Sequence, residues 1–99
     1  MSKISAAITA TGHFLPEDVL SNKDLEQMVD TNDEWITTRT GIKERRILKY
    51  KNKGTSFMAI KASENLIKKS HLDPKSIDLV IVATATPDMP VASTAAYVA

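Results

Sequence analysis

Thr31, Trp35 and Arg39 stand four residues apart in a chain that has one tryptophan. On a helix, residues at i, i+4 and i+8 lie nearly above one another. A hydroxyl, an indole plane and a guanidinium in that row can receive a purine nucleotide and its phosphates. The indole offers a face to the base, and the guanidinium pairs with phosphate through a planar fork of donors. The flanking residues fit a helix: Thr31 and Glu34 read as a capping box, and Gly41, just past Arg39 and Thr40, as a natural stop. The same residues also suit a plainer role. A lone tryptophan is more often core or rim packing than a ligand platform. Lys43-Glu-Arg-Arg46 has the composition of a solvated charged edge. Residue types alone leave both readings open.

Other elements must position that row. Ile4, Ala6, Ile8 and Ala10 alternate with Lys3, Ser5, Ala7 and Thr9, which predicts a strand over 3–11. Ser21 or Asn22 caps a short helix carrying Leu25, Met28 and Val29. The Trp35 helix follows, then a strand over 42–48 anchored by Ile42 and Ile47, and a polar loop over 49–54. Thr55 or Ser56 opens the longest helix, which runs to about Ser70. Phe57, Ile60 and Ile67 form one apolar line on it, Met58, Ala62 and Leu66 the next, with Lys61, Glu64, Lys68 and Lys69 opposite. Pro74 opens one more turn before Ile77.

Leu79 to Ala83 is a continuous apolar run, the pattern of a strand covered on both faces. Strand, helix, strand in that order implies a right-handed βαβ crossover with parallel strands, hence an α/β class. Such strands need helices on both sheet faces, and this chain by itself supplies too few. The segment Thr84 to Pro90 would then sit at the carboxyl end of a buried strand, where α/β folds place ligands. Its plainer reading is a rigid connection into a helix near Ser93.

Composition bounds the function. An apolar share of 42% and a charged share of 25% are ordinary for a soluble globular chain, and a net charge of +1 gives no reason to expect nucleic-acid or membrane binding. No apolar run reaches bilayer-spanning length, and the N-terminus lacks the apolar core of a signal peptide. A cytoplasmic location is therefore expected. The absence of cysteine excludes disulfides and thiolate metal sites in these 99 residues, and no metal site is expected.

Read in order, several strings are specific. Gly12-His-Phe-Leu-Pro-Glu17 is followed by Ser21-Asn-Lys-Asp-Leu-Glu-Gln-Met-Val-Asp-Thr31. Asp33-Glu-Trp-Ile36, Arg39-Thr-Gly-Ile42 and Glu44-Arg45 come next, and Val80-Ile-Val-Ala-Thr-Ala-Thr-Pro-Asp88 closes the series. Together they resemble the N-terminal signature of the β-ketoacyl-acyl-carrier-protein synthase III family, condensing enzymes of the thiolase-like fold. The resemblance covers essentially the whole chain. It implies residues 1–99 of the first thiolase-like half, an incomplete part of a layered α-β-α-β-α fold.

What the resemblance implies for chemistry is an acyltransferase of fatty acid biosynthesis and lipid metabolism that acts as a homodimer. An acyl-CoA primer acylates a cysteine thiolate, CoA leaves, and malonyl-acyl carrier protein decarboxylates and attacks the thioester. Coenzyme A enters as part of the substrate, and no separate cofactor is implied. The family's catalytic cysteine, histidine and asparagine are expected beyond Ala99, and His13 and His71 match neither catalytic position. No catalytic residue is therefore assigned here, and these 99 residues alone should be inactive. By the same resemblance Trp35 stacks on adenine, Thr31 hydrogen-bonds beside it, Arg39 contacts phosphate and Thr40 touches the pantetheine arm. Met89 and Val91 belong to a dimer-interface loop that borders the partner's acyl pocket. Many members carry Phe where Val91 stands, so the smaller side chain argues against a preference for acetyl alone.

Two alternatives accompany this reading. One is a ketone-, ester- or quinolone-forming synthase of the same superfamily. The other is a non-catalytic piece that associates with itself through exposed sheet edges.

Overall fold

The computed structural model describes residues 3–99. These fall into two compact units: Leu15–Lys53, and the residues up to Phe14 together with Gly54–Ala99.

Leu15–Lys53 is built around a polar joint. Its elements are β1 (Asp18–Ser21), α1 (Asn22–Glu26), α2 (Asp33–Thr40) and β2 (Glu44–Ile47). β1 and β2 pair antiparallel, with Asp18 opposite Ile47 and Ser21 opposite Glu44. α1 opens on a capping box, in which the Ser21 hydroxyl accepts from the Asp24 backbone N–H (3.1 Å) and the Asp24 carboxylate from that of Ser21 (2.9 Å). β1 is not foreseen in the sequence, β2 is shorter than the expected 42–48, and α1 ends before Met28 and Val29.

The start of α2 corrects the expected capping box. Asn32, not Thr31, is the N-cap, and its side-chain oxygen accepts from the Trp35 N–H at 2.8 Å. Asparagine caps at least as well as threonine. Starting at Asp33 also lets Glu26 take the Asp33 N–H (2.8 Å) and turns the Asp33 carboxylate toward Asn22. Gly41 ends α2 at φ 71°, a left-handed conformation that glycine adopts without steric penalty.

Asn22 is 1% exposed, and its amide ties four segments together. Its Nδ2 donates to Asp33 Oδ1 (2.7 Å) and the Ile42 carbonyl (2.8 Å), with a longer contact to Thr37 Oγ1 (3.3 Å). Its Oδ1 accepts from the Arg45 guanidinium at 2.8 Å, and its backbone N–H donates to the Lys43 carbonyl at 3.0 Å. Arg45 also donates to the Leu20 carbonyl (3.2 Å) and Arg46 to the Pro16 carbonyl (3.0 Å). Lys43, Glu44 and Arg46 are exposed, as a solvated charged edge would be, and Arg45 and Arg46 in addition cross-link to backbone carbonyls. Ile36, at 9% exposure, and Pro16 are the buried apolar residues of this unit.

The other unit centres on α3 (Thr55–Ser70), followed by a 3₁₀ turn at Pro74–Ser76 and α4 (Thr94–Val98). α3 has the expected span and the expected exposed face of Lys61, Glu64, Lys68 and Lys69. Its N-cap, however, is Gly54, which has no side chain to cap with. Gly12 lies directly against α3: a Cβ there would stand 2.6 Å from the Ala62 carbonyl oxygen and from Leu66 Cβ. Only glycine permits that approach. Phe14 meets Phe57 edge to face at 5.8 Å, His13 N–H donates to Asn65 Oδ1 (3.2 Å), and Lys69 Nζ reaches the Thr11 carbonyl (3.1 Å).

Residues 3–11 and 79–83 do not form the expected parallel strands, since the β1–β2 pair is the one sheet among the described residues. Ile4 is 100% and Ile81 79% exposed. A lone extended segment gains no ladder hydrogen bonds, and a strand buried on both faces needs layers that the described residues do not contribute.

Asn22→Ala should destabilise the protein that carries this sequence by about 1–3 kcal/mol, because Asp33 and Arg45 lose a buried partner; thermal unfolding checks this. The hydrogen bond from Asn22, then that from Thr37, holds the Asp33 carboxyl below its ordinary value. A depressed carboxylate lends stability above the unfolded-state pKa of about 4, and that stability is lost as pH falls through the lower folded value. The melting temperature should therefore drop on acidification below about pH 4, and Asp33→Asn should flatten that drop.

Candidate functional site

α2 presents one buried and one open face. Ile36 points into its unit, whereas the adjacent Trp35 is 53% exposed. Packing is therefore not what holds the indole. The Arg39 guanidinium, one turn on, lies 4.8 Å from the centre of the Trp35 ring, a cation–π stack. Among the described residues this guanidinium has no carboxylate partner, the recorded ion pair being Lys61 with Glu64. Its donor fork stays available for an anion.

Asn32, Glu34, Trp35, Thr38 and Arg39 line one open concavity of about 590 Å³. Asn32 uses its oxygen to cap α2, which leaves its amide nitrogen as an uncharged donor. The stacked pair supplies a flat π face next to a positive charge. Glu34 brings a negative charge to the same wall, so the surface is selective and not a general anion cradle. An aromatic base seated on Trp35, with phosphate directed to Arg39 and away from Glu34, satisfies all three groups.

The sequence row is thus half assembled. Trp35 and Arg39 come together as expected. Thr31 precedes the helix and does not line the concavity. Thr40 does not line it either: its hydroxyl donates to the Ile36 carbonyl (2.7 Å) and accepts from the Ile42 N–H (3.0 Å), sealing the end of α2. Asn32, Glu34 and Thr38 were missed. The signal was available one residue along, because 32, 35 and 39 also repeat with helical spacing once Asn32 is taken as the cap.

The second candidate segment lies in the other unit. Thr84 to Ser93 forms a run of bends leading to α4, with Ser93 as its N-cap. Met89 is 52% and Val91 97% exposed. Met89 Sδ accepts from the Tyr97 hydroxyl at 3.1 Å.

No family model matches the chain. Over all 99 of its residues it is 62% identical to β-ketoacyl-[acyl-carrier-protein] synthase III of Porphyromonas gingivalis, of which it covers 30%. The synthase III of Chlorobaculum tepidum is 55% identical over 95 residues, 96% of this chain and 29% of that one. Among solved structures, 3-oxoacyl-[acyl-carrier-protein] synthase III of Aquifex aeolicus superposes with a TM-score of 0.79 at 50% identity, over 90% of this chain and 28% of that one. The Thermus thermophilus synthase III gives 0.76 at 47% identity, over 94% and 29% respectively. The chain therefore has part of the thiolase-like fold of condensing enzymes. It belongs, by sequence and structure, to the β-ketoacyl-[acyl-carrier-protein] synthase III family, and it spans about 30% of the length of the curated relatives it matches.

Arg45 and Arg39 should separate cleanly in unfolding experiments. Arg45→Ala removes charged hydrogen bonds to Leu20 and Asn22 and should lower stability by about 1.5–3 kcal/mol. Arg39→Ala should stay within about 0.5 kcal/mol of the parent.

Proposed function

We propose that this chain is the CoA-binding rim of a β-ketoacyl-[acyl-carrier-protein] synthase III, an acyltransferase that starts fatty acid synthesis from an acyl-CoA primer and malonyl-acyl carrier protein. The observation that carries the reading is the exposed Trp35 indole with the unneutralised Arg39 guanidinium 4.8 Å above it, in a chain 62% identical to a synthase of that name. Adenine stacks on Trp35, Arg39 pairs with a CoA phosphate, and the Asn32 amide and Thr38 hydroxyl supply polar contacts at the rim. Thr31 and Thr40 serve the site indirectly, by shaping the two ends of α2.

The reaction proceeds in two transfers. A cysteine thiolate, expected beyond Ala99 with its histidine and asparagine, attacks the primer thioester and expels CoA as thiolate. Malonyl-acyl carrier protein then loses CO₂, and the resulting enolate carbon attacks the acyl-enzyme. The carbon–carbon bond forms as the cysteine thiolate leaves, giving β-ketoacyl-acyl carrier protein. Met89 and Val91 border the acyl pocket of the partner subunit in a homodimer, and a valine at that position leaves room for a primer larger than acetyl. Acyl-CoA is a substrate in this scheme, no further cofactor takes part, and the enzyme works in the cytoplasm. Among the described residues no helix is long and apolar enough to cross a membrane.

Incubation of the whole protein with a set of acyl-CoAs should add a single acyl mass, read by intact-protein mass spectrometry; no gain with any of them overturns the reading. Base–aromatic stacking is worth about 1–3 kcal/mol. Trp35→Ala should accordingly raise KM for acyl-CoA about tenfold with little change in kcat, the signature of lost uniform binding. Arg39→Ala should act in the same direction. An unchanged KM in both variants would remove this surface from the CoA site.

A further inference from the structure

The segment from Thr84 to Ser93 is tethered up to Met89 and bare between Met89 and α4. α3 lacks a side-chain cap of its own because Gly54 occupies the N-cap, so its first N–H groups need outside acceptors. Asp88 provides one from 32 residues away: Oδ1 accepts from the Ser56 N–H at 2.7 Å and Oδ2 from the Ser56 hydroxyl at 2.5 Å. The Thr55 hydroxyl donates to the Thr86 carbonyl at 2.5 Å, and the Thr86 N–H donates to Thr84 Oγ1 at 3.0 Å. A Cβ at Gly54 would stand 3.4 Å from the Asp88 carboxylate, an ordinary contact distance, so the carboxylate packs closely over the start of α3. One residue past Asp88, the Tyr97 hydroxyl on α4 donates to Met89 Sδ at 3.1 Å. Between the tethers and α4, Val91 stands 97% exposed.

We propose that Asp88 and Tyr97 are positioning residues that clamp this loop to α3 and α4 and so set how Val91 is presented to the primer's acyl chain. The inference rests on the reading of Met89 and Val91 as acyl-pocket residues. Neither clamp residue touches the reacting atoms; each acts through the backbone it holds. The Asp88 tether is charge-assisted and sits at the positive end of a helix, whereas the sulfur acceptor of the Tyr97 tether is weak. Asp88 therefore carries most of the effect.

The test uses Asp88→Ala, Asp88→Asn and Tyr97→Phe in the whole protein, with two readouts. Hydrogen exchange followed by mass spectrometry should show faster exchange over 84–93 in Asp88→Ala, less in Asp88→Asn, which still accepts from Ser56, and least in Tyr97→Phe. The ratio of kcat/KM for acetyl-CoA to that for a longer or branched acyl-CoA should shift about tenfold in Asp88→Ala, within the range a pocket gives per methylene, with Asp88→Asn partly restoring it. A merely structural role would lower both primers together and leave the ratio unmoved. Unchanged exchange over 84–93, or raised exchange with an unmoved ratio, overturns the proposal. If Asp88→Ala does not fold, Asp88→Asn decides by the same two readouts. A parent protein that accepts no acyl group sinks the acyl-pocket reading instead, and the exchange data then decide separately whether the loop is clamped.

Discussion

Everything in Leu15–Lys53 is hung on the side chain of Asn22. An amide at 1% exposure must satisfy its donors and its acceptor within the protein, because an unpaired buried polar atom is expensive. Asn22 does so by drawing in Asp33 at the start of α2, the Ile42 carbonyl just past its end, and Arg45 on β2. Those three partners fix both ends of α2 relative to the β1–β2 ribbon. With only Ile36 and Pro16 as buried apolar residues, the geometry of this unit comes from directional hydrogen bonds more than from packing. A hydrophobic residue at 22 could fill the volume but could not specify the same arrangement.

That division of labour explains how α2 keeps Trp35 and Arg39 outward. A helix anchored by its ends needs only one buried side chain, so its opposite face is released from packing duty. The indole and guanidinium then stack on each other in place of a core. The stack holds a large aromatic surface and a positive charge side by side on the exposed face of α2. The run Lys43–Arg46 looks more conspicuously basic, yet its arginines are bound to backbone carbonyls and to Asn22. Exposed charge by itself is a poor guide to a site; a charge without a partner is a better one.

The unit built on α3 shows a complementary economy. A helix start that cannot cap itself takes its acceptor from a distant loop, and the same contact gives that loop a fixed course. Gly12 matters by what it lacks, since a Cβ there would clash with the α3 surface. Ile4, Ile8, Leu79 and Ile81 remain exposed, consistent with a chain that spans about 30% of the length of its relatives.

Much was legible in the residues alone. The span of α3, the Gly41 stop, the Ser21 cap, the turn at Pro74 and the helix start near Ser93 follow from interactions within about one turn of chain, which neighbouring residue types determine. The family followed from the order and spacing of short strings. The N-cap of α2 was legible only to within a residue, since Thr31 and Asn32 are both competent caps, and that single step decided that Asn32 and Thr38, not Thr31 and Thr40, line the concavity. The tertiary structure alone decided the burial of Asn22, the backbone role of Arg45 and Arg46, and the docking of Asp88 onto Ser56. Each joins groups 11 to 32 residues apart. No local periodicity records such pairings, because they depend on where the folded chain brings a donor within about 3 Å of an acceptor.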